Sequence, residues 1–438
     1  MASSKATLSK RGEVFATPAS KMPMLDVVND LWHAETNPGG YISLGVAENT
    51  LMHKELIRHI TQNFSVDSHA LTAGDGFTGS HRLRNTLARF INRHFSPFED
   101  ITRDQVIVTS GVGQAIELSG FALCDRASLV YLTVYRAKIV GVSFGDVDPF
   151  SIETVNYYEK ALEEAEKQGI RVRVFLLCNP HNPLGRCYTP EVLKAYMQFC
   201  QKHNLHLISD EVYALSVWKN PEAPGATEFT SALAINPDGL IDRDLLHVLW
   251  GMGKDFGSCG LRIGCLISRN EAFLRACEAN SYFSGPSSLA DLTTARVLSD
   301  DAFIENYVKT NRLRLAENYK LTTEFLKSRK IPYKEGSNAG LFVWADLFQP
   351  LRAQIDVTLQ EEGMGGPGEA LRTLESSLQD TLLQHKIFLA LGADFGSDVP
   401  GWFRIVFAHE ATYLKLGLER MTKAIEAFRG QLESIESE

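Results

Sequence analysis

LHVLWGMGKDFGSCGLRIGCLIS, residues 246–268, holds two apolar runs separated by a glycine-rich connection. The first run ends in Gly251-Met252-Gly253, Lys254 follows at once, and Arg262 opens the second run. The pattern predicts strand, tight turn, lysine, loop and strand. A lysine directly after a buried strand sits in a confined, partly desolvated site. An amine in such a site can act as a nucleophile. Arg262 carries the planar fork suited to bidentate binding of a phosphate. A nucleophilic lysine beside a phosphate-binding arginine fits pyridoxal phosphate (PLP) held as a Schiff base. Within this window alone a solvated surface lysine fits about as well, because lysine is usually exposed.

Composition narrows the setting. A chain of 438 residues can build a large core and more than one domain. Its net charge of −9 argues against nucleic acid or a membrane surface as a general partner. No window approaches an uninterrupted transmembrane span. The opening stretch MASSKATLSKRGEVFATPASK is basic but lacks an apolar segment, which excludes a secretory signal. It reads as a disordered arm, with a weak organellar presequence as the other reading. The cysteines, at 124, 178, 187, 200, 259, 265 and 277, are scattered and form no C-x-x-C pair. Reduced thiols of a cytoplasmic protein fit this pattern better than a disulfide framework or a zinc site.

Upstream of the opening stretch, strand-like runs recur. LHLIS (205–209) leads into Asp210-Glu211-Val212-Tyr213, RVRVFLLC (171–178) into NPHNPLG, and QVIVT (105–109) into SGVGQ and a helix over 115–123. That last turn is either a phosphate cradle at a helix N-terminus or a plain connection. Helices are expected over 81–94, 155–167 and 190–203, and further strands at 129–135 and 139–144. Alternating strands and helices predict a mainly parallel sheet covered by helices, with functional groups at the carboxyl ends of its strands. Gly111, Asn182, Asp210 and Lys254 each closely follow an apolar strand, and four such groups argue for a pocket more strongly than any one. Glu48 and Asn49 lie either near a ligand or in a capped turn before a helix over 53–64. The glycine-rich TAGDGFTGS (72–80) has no nucleotide-binding spacing. Beyond 285 come a long helix over 301–329, a strand at 338–344, the strand WFRIVF (402–407), and a last helix. That helix carries Leu414, Leu418, Met421, Ile425 and Phe428 as a core-facing stripe. The expected divisions are an arm (1–24), the N-terminal part of a small domain (25–60), a large domain (61–300) and a C-terminal small domain (301–438).

NPHNPLG, SDEVY, GKDFG with LRIG, and WFRIVF occur in the order and rough spacing of fold-type I PLP enzymes of the class I/II aminotransferase group. The chain resembles that family from LGVAEN (44–49) to GWFRIVFA (401–408). Its nearest likeness is to 1-aminocyclopropane-1-carboxylate (ACC) synthase and fungal relatives, including gliotoxin-type C–S lyases. The resemblance implies an α/β fold with a seven-stranded, mainly parallel sheet in the large domain and a smaller α+β domain. It also implies PLP as cofactor, a small amino-acid-like substrate and a homodimer. It makes Lys254 the Schiff-base lysine and proton shuttle, with Asp210 paired to the pyridinium nitrogen. Asn182 and Tyr213 would bond the cofactor's phenolic oxygen. Gly111, Val112 and Arg262 would hold the phosphate, and Tyr135 would stack on the ring. Arg404 would clamp the substrate carboxylate, and Glu48 would lie near the substrate.

The sequence departs from that pattern in four places. Gly253 stands where many relatives carry a phosphate-binding serine, and Gly251 also lacks a hydroxyl. Phe77 replaces a tyrosine that relatives supply to the partner subunit's site. TVYR (133–136) replaces a PxPYY segment, and the region around 124–140 is shorter by roughly a dozen residues. These departures favour a specialised-metabolism aminotransferase or C–S lyase over an authentic ACC synthase. They leave a non-catalytic descendant as the reading of another class.

Overall fold

Apolar runs rich in Val, Ile and Leu become short strands. In chain order these are β1 (Ile42–Ser43), β2 (Val106–Ser110), β3 (Val174–Cys178), β4 (His206–Asp210), β5 (Leu246–Gly251), β6 (Ile263–Ser268), β7 (Phe342–Asp346), β8 (Ile387–Phe388), β9 (Ala390–Leu391) and β10 (Trp402–Val406). The principal helices used below are α1 (His81–Phe95), α2 (Val112–Leu123), α3 (Thr154–Lys167), α4 (Pro190–His203), α5 (Glu271–Asn280), α6 (Asp301–Ser328) and α7 (Ala411–Ile435). The structure is a computed structural model that describes Leu8 and residues 23–124, 139–361 and 367–435.

The central sheet has the order β2-β6-β5-β4-β3. β3, β4 and β5 pair in parallel, whereas β6 is antiparallel to both β5 and β2. Four of the five described strands therefore run the same way, as a mainly parallel sheet requires. The fifth, β6, inverts because the connection after Lys254 is too short for a helical crossover. Both faces of β5 are buried. Val248 and Trp250 enter one core cluster with Phe90, Phe95 and Phe256, while Leu249 faces Ala115, Leu118 and Leu266. Alternation with burial on both faces explains why this strand reads as an unbroken apolar run.

Local chemistry sets the helix starts. Ser80 caps α1 by accepting from the Leu83 N–H, and Thr189, followed by a proline, caps α4. Asn270 and Asp300 cap α5 and α6 in the same way.

One expectation about strands needs correction. Residues 139–144 form no strand. Phe144 instead packs edge-on against Tyr157 and Tyr158 of α3, and among the described residues β3 is the outer strand, with Leu176 43% exposed. The expected strand at 129–135 lies outside the described residues. Among the described residues the sheet has five strands.

The chain divides into two units. The larger comprises Ala47–Pro350 and Leu391–Ala411; the smaller comprises Met1–Val46, Leu351–Ala390 and Thr412–Glu438. Residues 301–350 thus go with the large unit, although the sequence assigns them to the small one. The reason is packing: Ile304 and Tyr307 of α6 are buried in the Trp250 core, and the Tyr307 ring stacks on Phe256 at 4.9 Å. β7 and β10 form an antiparallel pair within the large unit, with Arg404 opposite Trp344. In the small unit, β1 pairs in parallel with β8. Leu414, Leu418, Met421, Ile425 and Phe428 of α7 are all buried, as their spacing predicts.

Candidate active site

Lys254 lies in the single helical turn Met252–Asp255 that follows β5. Its amine donates to the Ala47 carbonyl at 2.7 Å. Gly251 permits this sharp exit, since a Cβ there would stand 2.8 Å from the Ile263 carbonyl oxygen and 2.9 Å from a Val112 methyl. Beside Lys254 is a cleft of about 170 Å³ lined by Gly111, Val112, Gly253, Cys259 and Arg262 among others.

The far wall of the cleft is built to face an anion. Gly111 takes a φ of +79° and starts α2, whose leading N–H groups lack intrahelical acceptors. A Cβ at Gly111 would come within 2.7 Å of the Arg262 guanidinium, and the positive φ itself favours glycine. Arg262 itself adopts a left-handed φ of 54°, and its guanidinium donates to the Ser110 carbonyl at 3.1 Å and the Cys259 carbonyl at 3.3 Å. A helix N-terminus and a guanidinium converging on one cleft suit a phosphate.

Asp210 closes β4 on the same edge of the sheet. Burial pushes its carboxyl up to about 6, while the Val212 N–H, 3.3 Å away, and the Lys254 charge pull the other way. A cation placed against it would hold it ionised. Tyr213, buried one turn on, meets the Phe342 ring edge-on at 5.4 Å, and burial raises its phenol pKa. Arg404 in β10 is 6% exposed and donates to Asn182 Oδ1 at 2.8 Å. Its guanidinium lies over Phe395 at 4.6 Å and Phe342 at 5.4 Å. Burial lowers its pKa, while Tyr213 acts to raise it.

Lys254, Gly111, Val112 and Arg262 therefore share one cleft. Asp210 is electrostatically coupled to Lys254, and Tyr213 to Asp210 and Arg404. Arg404 in turn is bonded to Asn182. Glu48 is exposed and does not line the cleft, although its neighbour Ala47 supplies the acceptor for the lysine amine. Phe77 is also outside it, packed on Tyr282 at 4.5 Å. Tyr135 lies outside the described residues. Sequence reasoning missed the Ala47 carbonyl, because a backbone acceptor leaves no mark in residue type. It also passed over Cys259, whose thiol donates to the Gly253 carbonyl at 3.1 Å. The donor set fits PLP: an amine for its carbonyl carbon, a carboxylate for its ring nitrogen, and a glycine-built, arginine-lined cradle for its phosphate.

Comparison with known proteins agrees. The chain is 31% identical over 425 residues to an ACC synthase-like protein 1 of Takifugu rubripes, covering 92% of this chain and 65% of that one. The chain thus spans just under two thirds of that relative's length. It is 30% identical to a probable aminotransferase, tcpI, of Claviceps purpurea, with 88% of this chain and 89% of that one covered. A Thermus thermophilus aspartate aminotransferase mutant superposes with a TM-score of 0.68 at 19% identity, over 96% of this chain and 100% of that one, a likeness of fold. Residues 40–421 match the model for aminotransferase class I and II. The chain belongs to the class I and II aminotransferase family, a family of PLP-dependent enzymes.

Proposed function

We propose that this protein is a cytoplasmic PLP enzyme that acts at Cα of an amino acid or amino-acid-derived substrate, as an ACC synthase-like aminotransferase or C–S lyase of fungal specialised metabolism. The observation that carries the reading is Lys254. Its amine is held on a backbone carbonyl beside a cleft that joins Arg262 to a helix N-terminus. PLP, when bound, supplies the sink for electrons released at Cα. The Lys254 amine would hold the cofactor and would then serve to move the Cα proton. Asp210, ionised against the ring nitrogen, keeps that nitrogen protonated. Gly111, Val112 and Arg262 hold the phosphate, and Asn182 and Tyr213 bond the phenolic oxygen. Arg404 binds the substrate carboxylate, its planar face already set by two aromatic rings. The fungal tcpI relative and the absence of a hydroxyl at Phe77 favour this reading over authentic ACC synthesis.

The proposal includes a homodimer. Leu71, Phe77, Tyr282, Phe283 and Leu289 are exposed, with Phe283 at 96%. Phe77, Tyr282 and Phe283 touch in sequence, and Ser288 bonds the Thr72 carbonyl, which joins the two loops into one apolar face.

The test is borohydride reduction of PLP-loaded protein followed by peptide mapping. The pyridoxyl group is expected on Lys254; its attachment elsewhere, or nowhere, overturns the reading. A screen of amino donors against cysteine S-conjugates then separates transamination from C–S cleavage.

A further inference from the structure

Asp255 has no part in the function proposed above, yet it directly follows Lys254 and is 2% exposed. Three donors converge on its carboxylate. Trp250 Nε1 (3.0 Å) and the Leu215 N–H (3.1 Å) share one oxygen, and Ser216 Oγ (2.7 Å) takes the other. Leu215 and Ser216 belong to the turn that begins at Asp210. Within it the Ala214 N–H donates to the Glu211 carbonyl and the Ser216 N–H to the Tyr213 carbonyl. Arg312 of α6 fixes the same turn by donating to the Leu215 carbonyl at 2.9 Å. One carboxylate therefore joins the turn that carries Lys254 to the turn that carries Asp210 and Tyr213.

We propose that Asp255 is a positioning residue whose carboxylate ties these two turns together and so holds the Lys254 amine in register with Asp210. This rests on the reading of Lys254 as the cofactor lysine. Asp255 does not line the cleft, so it acts through its neighbours and not on a bound molecule. An ionised carboxylate only accepts, which matches three donors. Burial opposes that charge and the donors from Trp250, Ser216 and Leu215 restore it, leaving the group near 6.

Charge and tether can be separated. In Asp255→Asn the amide oxygen still accepts from Trp250 and Leu215. The amide N–H₂ donates to Ser216 once that hydroxyl turns round, so all three links survive without the charge. Asp255→Ala removes every link, and Ser216→Ala removes one.

The experiment follows capture of added PLP at Lys254 by borohydride trapping and mass mapping. Alongside it are measured the pH midpoint of the visible cofactor band and the melting of the cofactor-free protein. Asp255→Ala is expected to slow capture about a hundredfold and to shift the midpoint, while Asp255→Asn stays within about threefold of wild type. Loss of stability without these two changes would mark a merely structural residue and overturn the proposal. Equal impairment in Asp255→Asn and Asp255→Ala would also overturn it, since charge and not the tether would then carry the effect. If Asp255→Ala does not fold, Ser216→Ala decides: capture slowed about tenfold supports the tether, and a wild-type rate refutes it. Failure of the wild type to capture PLP at Lys254 removes the functional reading itself, an outcome distinct from equal capture by wild type and variants.

Discussion

The cofactor end of the candidate site and its substrate end are built differently. At the cofactor end, Gly111, Asp210 and Lys254 lie at the exits of adjacent or near-adjacent sheet strands, and Arg262 opens β6. Their positions follow from strand register, and glycine contacts leave little room for drift. At the substrate end, Arg404 comes from a different sheet and reaches Asn182 through one hydrogen bond between distant segments. Glu48 and Phe77 sit on loops outside the cleft. In the proposed reading the cofactor groups stand on a regular frame, whereas Glu48 and Phe77 stand on loops, the more variable part of a fold. The predictions that follow strain each end in turn.

The largest effect is expected at the cofactor end. Asp210→Asn keeps the shape and a hydrogen-bond acceptor but removes the charge proposed to hold the ring nitrogen protonated. PLP attachment at Lys254 should survive. Exchange of the substrate Cα hydrogen with deuterated water should fall at least a thousandfold, on the order of 4 kcal/mol. Wild-type exchange in the variant would refute the role given to Asp210. At the substrate end, Arg404→Lys keeps the charge but loses the fork that meets Asn182 and the flat face that lies on Phe395. KM for a carboxylate substrate should rise roughly fiftyfold, equivalent to about 2–3 kcal/mol, with a smaller change in kcat. A change confined to kcat would place Arg404 away from the carboxylate.

How legible each part was follows the same division. The strand exits could be read because an apolar run followed by a small or polar residue is a local pattern, and GKDFG, SDEVY and NPHNPLG each carry it. The stripe of α7 was legible for the same reason. Residues 139–144 looked like a strand, but sequence pattern reports the tendency of a segment and not whether a neighbouring strand exists. Phe144 found the aromatic face of α3 instead. Residues 301–350 looked like the start of a second domain because a long helix follows a loop. Ile304 and Tyr307 join the Trp250 core, a long-range fact that no local window contains. The Ala47 acceptor and the Asp255 tether were hidden for a related reason: both link segments far apart in the chain.

A third prediction uses burial at the cofactor end. Burial raises Asp210 to about 6, so the folded, cofactor-free protein holds a proton there that the unfolded chain releases nearer pH 4. The contribution of Asp210 to stability is full below that lower pH and is lost as pH rises through about 6. Glu211, raised to about 7, and Asp255, raised to about 6, act in the same sense. Buried His181, His247 and His409, whose pKa values are lowered, act in the opposite sense. The clean observable is therefore a difference between proteins. Cofactor-free Asp210→Asn should gain on the wild type as pH rises from 4 to 7, by on the order of 2 kcal/mol. Denaturant melts at several pH values measure it, and a pH-independent difference would contradict the upward shift at Asp210.

The smallest effect concerns Gly253, the cleft residue at which the sequence departs from the family pattern. A Cβ at Gly253 would stand 3.1 Å from the Cys259 sulfur and 3.6 Å from the Cys259 Cα. The second distance is ordinary contact; the first requires the thiol, which donates to the Gly253 carbonyl, to shift by a few tenths of an ångström. Gly253→Ser alone therefore adds a hydroxyl donor toward the proposed phosphate position while displacing a side chain. The two effects should cancel to within about twofold in PLP dissociation constant. Cys259→Ala alone removes a weak thiol hydrogen bond and should also change little. Combined, the substitutions leave the serine hydroxyl free of the thiol, and affinity should tighten about fivefold, near 1 kcal/mol of coupling between neighbours. Equilibrium titration of the four proteins with PLP completes the cycle. Strict additivity would mean that Cys259 does not control the space at Gly253, and that glycine there reflects something other than the thiol beside it.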